Sequence, residues 1–69
     1  MNTKKDLKLR VLFDVAHHDY EKGLNKYAFF KTNDHYVGEN LVQDTFMKTW
    51  VYLVKKGKID TMKTFLYHI

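Results

Sequence analysis

Gln43, Asp44 and Met47 place an amide, a carboxylate and a thioether at steps of three and four residues, the spacing that gathers side chains on one helix face. An amide donates and accepts hydrogen bonds, and a carboxylate accepts from an Arg of a partner. Helix faces that serve solvation alone are usually laced with opposite charges, so this trio is expected to form a docking surface. Groups for covalent chemistry are missing. The chain has no serine and no cysteine, and its carboxylates are scattered without the pairing an acid/base site needs. His17 and His18 are adjacent and cannot share one helix face, and His35 and His68 lie far from them, so no zinc-ligand spacing exists. Neither a catalytic role nor a cofactor is expected.

The same stretch carries a second pattern. Leu41, Val42, Thr45, Phe46, Thr49 and Trp50 also recur at three- and four-residue steps, which predicts a buried seam on the opposite face of one helix. Trp50, Phe46 and Phe65 fall in register with Leu41 and Leu53 and are expected in the core rather than as stacking rings.

Sixty-nine residues make one domain, small enough that close helix packing or a partner must supply much of its stability. Five Phe, five Tyr and one Trp can form most of the core. Twelve Lys and Arg against eight Asp and Glu give a formal charge of +4, compatible with nucleic acid but common in small domains. No apolar run approaches a membrane span and the first eight residues hold only Leu7 as a large apolar side chain after Met1, so the chain reads as soluble and cytoplasmic.

Three elements must position these residues. Leu9, Leu12, Phe13, Ala16, Tyr20, Leu24, Tyr27 and Ala28 predict a helix from about Lys4 to Lys31, with Gly23 marking either a close contact or a weak point. Thr32-Asn33-Asp34 should break it, Asn33 in a left-handed conformation and Asp34 capping the next helix. That helix is expected over His35 to Lys56, with Val37, Leu41, Thr45, Phe46, Thr49, Trp50 and Leu53 inward and Gly57 as its C-cap. A third helix is expected from Thr61 to Ile69, capped by Asp60, with Met62, Phe65, Leu66 and Ile69 in one stripe. The expected fold is all-α: a compact three-helix domain, a long antiparallel hairpin with the third helix packed across it.

Three segments in order resemble the second conserved region of bacterial sigma factors of the extracytoplasmic-function type. Glu39, Leu41, Val42, Gln43, Thr45, Phe46 and Trp50 match the family's "Ala-Glu-Asp-Leu-Val-Gln-Glu-Thr-Phe, three variable residues, Trp", with Gly38 for Ala, Asn40 for Asp and Asp44 for Glu. Tyr20, Leu24, Tyr27, Ala28, Thr32 and Asp34 look like its "Tyr, three residues, Leu, two residues, Tyr-Ala … Thr-Gly-Asp", with Asn33 for Gly. Phe65-Leu66-Tyr67-His68-Ile69 is similar to its "Trp-Leu-Tyr-Arg-Ile".

The resemblance implies a role in transcription initiation with no catalysis of its own. Such a region docks on the clamp coiled coil of the RNA polymerase beta-prime subunit and captures the unwound non-template strand of the promoter's minus-ten element. Gln43 and Asp44 stand at the family's docking positions, with Asn40 and Met47 as neighbours. Lys55, Lys56, Lys58, Lys63, Tyr67 and His68 stand at its DNA-facing location, where Lys56 replaces a common aromatic. An anti-sigma factor is a further partner the family implies. Family members continue the third helix and add a helix-turn-helix region, so residues 1–69 are expected to be a region-two domain truncated in its last helix. The alternative is a stand-alone basic helical domain with this fold that binds another protein or duplex DNA; only Lys63 is a strong cation on the expected third helix, which counts against a duplex reader.

Overall fold

The computed structural model describes residues 3–68 and is all-α. Helix α1 spans Thr3–Thr32, α2 His35–Lys56 and α3 Met62–Leu66. The two long helices pack antiparallel, and the molecule measures 42 × 18 × 17 Å. Its long axis is thus set by α1, whose thirty residues rise about 45 Å.

The turn between the long helices is built by three neighbouring residues. Thr32 Oγ1 donates to the Ala28 carbonyl at 2.8 Å, closing the last turn of α1. Asn33 takes φ 56°, and its N–H reaches the Phe29 carbonyl at 2.7 Å. Asp34 is extended and its Oδ1 accepts from the Val37 N–H at 3.0 Å, satisfying one of the free donors that open α2. At the far end Gly57 has φ 81° and its N–H bonds the Leu53 carbonyl at 2.8 Å, with Lys55 and Lys56 facing the negative helix end.

The core joins Ala16, Leu24 and Ala28 of α1 to Val42 and Phe46 of α2 and Leu66 of α3, with Phe13, Tyr20, Met62 and Tyr67 around them. Leu9 and Leu53 are also buried, as is Thr49, whose hydroxyl donates to the Thr45 carbonyl at 2.7 Å.

The contact face of α2 is rotated from the expected one. Val37 and Leu41 are exposed, and Gly38 is buried instead. A Cβ on Gly38 would stand 3.2 Å from the Phe29 nitrogen and 3.3 Å from the Ala28 carbonyl carbon, so backbones meet there. That approach turns the line Gly38–Val42–Phe46–Thr49–Leu53 inward and swings Val37 and Leu41 out. On α1, Leu12 is likewise exposed, and on α2 Trp50 is half-buried rather than in the core.

Helix α3 is shorter than expected. Thr61 rather than Asp60 occupies its N-cap position and makes no side-chain cap bond, while Asp60 Oδ1 lies 3.7 Å from Lys58 Nζ. The helix stops at Leu66, and the expected stripe member Ile69 lies outside the described residues. One turn has no stability of its own. Tertiary contacts hold this one: Leu66 is fully buried, and the Tyr67 ring packs 5.3 Å from Tyr27 with its hydroxyl over Gly23. Gly23 therefore marks a close contact. No helix among the described residues is long and apolar enough to cross a membrane.

Candidate functional site

Asn40, Gln43, Asp44 and Met47 are all exposed on α2, and Met47 keeps 70% of its surface in solvent. Asp44 Oδ2 lies 2.8 Å from Lys48 Nζ, one turn on. So exposed a pair contributes a few tenths of a kcal/mol at most and yields readily to a competing cation. Three of them, Asn40, Gln43 and Met47, form the middle of a longer stripe, with Asp44 beside it. Tyr36, Asn40, Gln43, Met47, Trp50 and Val54 follow one another at steps of four and three, the repeat by which helices interlock along a seam. Tyr36 is 76% and Val54 52% exposed, so apolar surface flanks the polar centre at both ends. Sequence reasoning missed Tyr36 and Val54. Their signal was the same 4–3 spacing, overshadowed by the stronger buried seam of this helix.

Beside the stripe, α1 and α2 enclose an open groove of about 690 Å³, with Phe13, His17, Phe46, Met47, Trp50 and Val51 among its walls. Phe13 meets Trp50 edge-on at 5.4 Å and Phe46 at 6.0 Å. His17 lies 4.5 Å from the Phe46 ring, and its Nε2 is 2.9 Å from Glu21 Oε2 on the rim. Helix α3 packs elsewhere on the hairpin, its Phe65 4.8 Å from Tyr52 and Tyr67 against Tyr27. The groove thus offers an apolar, ring-lined slot next to hydrogen-bonding groups, an arrangement suited to the side chains of a helical partner.

The cationic candidates are only partly gathered. Lys55 and Lys56 are exposed in the last turn of α2, with exposed Lys58 in the following loop. Lys56 and Lys58 border a hollow of about 480 Å³ whose walls include the Tyr52 and Phe65 rings and Thr61 and Thr64. Lys63 is exposed on α3. Tyr67 and His68 stand apart. Gly57 lies beside Lys5, whereas Tyr67 lies over Gly23, eighteen residues or about 27 Å farther along α1. His68 borders a separate hollow with Asp44, Thr45 and Lys48, on the side of the expected docking residues. Sequence neighbours have been turned to different surfaces because Leu66 and Tyr67 anchor the chain to α1.

Among the described residues no group of three His, Asp or Glu could hold a metal ion, and no buried side-chain polar atom lacks a partner. No protein-family model, curated protein or solved structure matches the chain.

Proposed function

We propose that the chain is a binding module of transcription initiation, of the kind that sigma-factor region two provides in the bacterial cytoplasm. It docks on the beta-prime clamp coiled coil of RNA polymerase through Asn40, Gln43, Asp44 and Met47, and holds the non-template strand of the minus-ten element through its lysine-rich loop. One observation carries the reading: a stripe of α2, exposed except at the half-buried Trp50, repeats at the spacing of a coiled-coil seam and has a polar centre between apolar ends. A partner that is itself a coiled coil presents the matching ridge. Asp44, loosely held by Lys48, is free to exchange that cation for a guanidinium, and Gln43 can pair with either a donor or an acceptor. Lys55, Lys56, Lys58 and Lys63 supply the charge for strand binding, and the hollow lined in part by Tyr52 and Phe65 supplies rings.

The test is calorimetric titration of the chain against an isolated beta-prime clamp coiled coil, with the double variant Gln43→Ala, Asp44→Ala alongside. Loss of a charge-assisted bond with an amide bond should weaken binding roughly 10- to 100-fold at unchanged helicity. A folded wild-type chain that gives no heat with the coiled coil refutes the docking half and leaves a stand-alone interaction domain.

A further inference from the structure

Antiparallel packing brings the first turns of α1 to the end of α2. The Lys5 Nζ lies 4.0 Å from the position a Cβ on Gly57 would take, so the two basic segments share one tip of the molecule. Lys4, Lys5, Lys8, Lys55, Lys56 and Lys58 gather there, all exposed, and the acidic residues of the same two segments are Asp6 and Asp60. This set carries a formal +4, the whole excess of the chain; the other six Lys and Arg are matched by six Asp and Glu. The N-terminus of α1 adds the positive end of a thirty-residue helix.

We infer that the tip formed by Lys4, Lys5 and Lys8 together with Lys55, Lys56 and Lys58 is a single site for a nucleic-acid phosphate backbone, half of it supplied by α1. The inference rests on the nucleic-acid half of the proposed function and extends it to residues that nothing in the sequence singled out. Single-stranded nucleic acid is the ligand that fits best. Lys56 and Lys58 border the hollow that the packed Tyr52 and Phe65 rings help to line, where rings lie next to charge, the pairing that unstacked bases require. A lipid surface fits less well. The exposed apolar stripe near the tip, Leu7, Val11 and Val15, runs on into His18 and Lys22, so a flat-lying α1 would bury only a short apolar strip.

The test is fluorescence anisotropy of a labelled single strand of roughly 12 nucleotides as salt is raised, since each neutralised phosphate contributes about 0.7 to the log–log slope. Six lysines predict a loss of about 300-fold in affinity between 50 and 200 mM salt, and three predict about 20-fold. The triple variant Lys4→Ala, Lys5→Ala, Lys8→Ala should show the shallower dependence, as should Lys55→Ala, Lys56→Ala, Lys58→Ala. Lys22→Ala, Lys26→Ala, Lys31→Ala makes the same charge change away from the tip and should keep the steep one. Helicity is followed by circular dichroism, and any variant that loses it is replaced by the glutamine version.

A steep slope in the α1 triple variant with a shallow one in the loop variant overturns the inference while leaving the loop lysines as the strand site. Equal losses in the control variant overturn it in favour of diffuse attraction. No binding by the folded wild-type chain overturns both this and the strand-binding half of the proposed function. Vesicles containing phosphatidylserine that bind the chain while the oligonucleotide does not compete would reassign the tip to lipid.

Discussion

The Tyr67 hydroxyl occupies the space into which a Cβ on Gly23 would project, while the ring carbon that bears it would lie 3.7 Å from that Cβ, an ordinary contact. The two residues should therefore be coupled in a way a double-mutant cycle can read. Replacing a mid-helix Gly by Ala gains about 0.8–1.0 kcal/mol when the methyl has room. In a Tyr67→Phe background the hydroxyl is gone, and Gly23→Ala should realise that full gain. In the wild-type background the methyl must push Tyr67 aside, weakening an aromatic pair with Tyr27 of about 0.5–1.5 kcal/mol, so the change should be close to neutral or destabilising. The expected coupling is about 1 kcal/mol, or a difference of about 4–8 °C in melting temperature for a domain of this size. Thermal and urea denaturation followed by circular dichroism at the helix band give both quantities. If Gly23→Ala stabilises both backgrounds equally, Tyr67 does not seat α3 on α1.

Two further perturbations separate neighbouring roles. Phe46→Ala empties the centre of the core and should cost about 3–5 kcal/mol, whereas Trp50→Ala, half-buried at the edge of the groove, should cost clearly less; urea midpoints decide, and equal costs would mean the groove is closed. Gly57→Ala forces an L-residue to φ 81° and should destabilise by about 1–2 kcal/mol, with Asn in its place recovering part of the loss in the same assay.

What was legible in the sequence is what depends on local chemistry. Asn33, Asp34 and Gly57 act within a few bonds of their own backbone, and both ends of α2 fall where those residues place them. The exposed side of α2 was legible too, because Gln43 and Asp44 are poor core residues and Met47 shares their face. The inward face was read with the wrong tilt. Its direction is set by Gly38 lying against Phe29 and Ala28, and a glycine carries no apolar signal in a periodicity. The length of α3 depends on where Leu66 and Tyr67 anchor, which is a property of α1 rather than of the segment itself. For the same reason the lysine-rich tip was half visible: Lys55, Lys56 and Lys58 are sequence neighbours, while Lys4, Lys5 and Lys8 join them only through packing.

The turn at Thr32–Asp34 also governs how the hairpin comes together in time. Contacts beside it join residues a few positions apart, so they close small loops first and shorten the path for each pair beyond. Folding can run like a zipper from this turn, with the low sequence separation that makes helical proteins fast. The opposite tip, where Lys5 meets Gly57, joins the most distant residues and is the last pair to close and the first to fray. An anion bridging α1 and α2 there fastens the zipper at its open end, coupling occupancy of the tip to the stability of the whole hairpin.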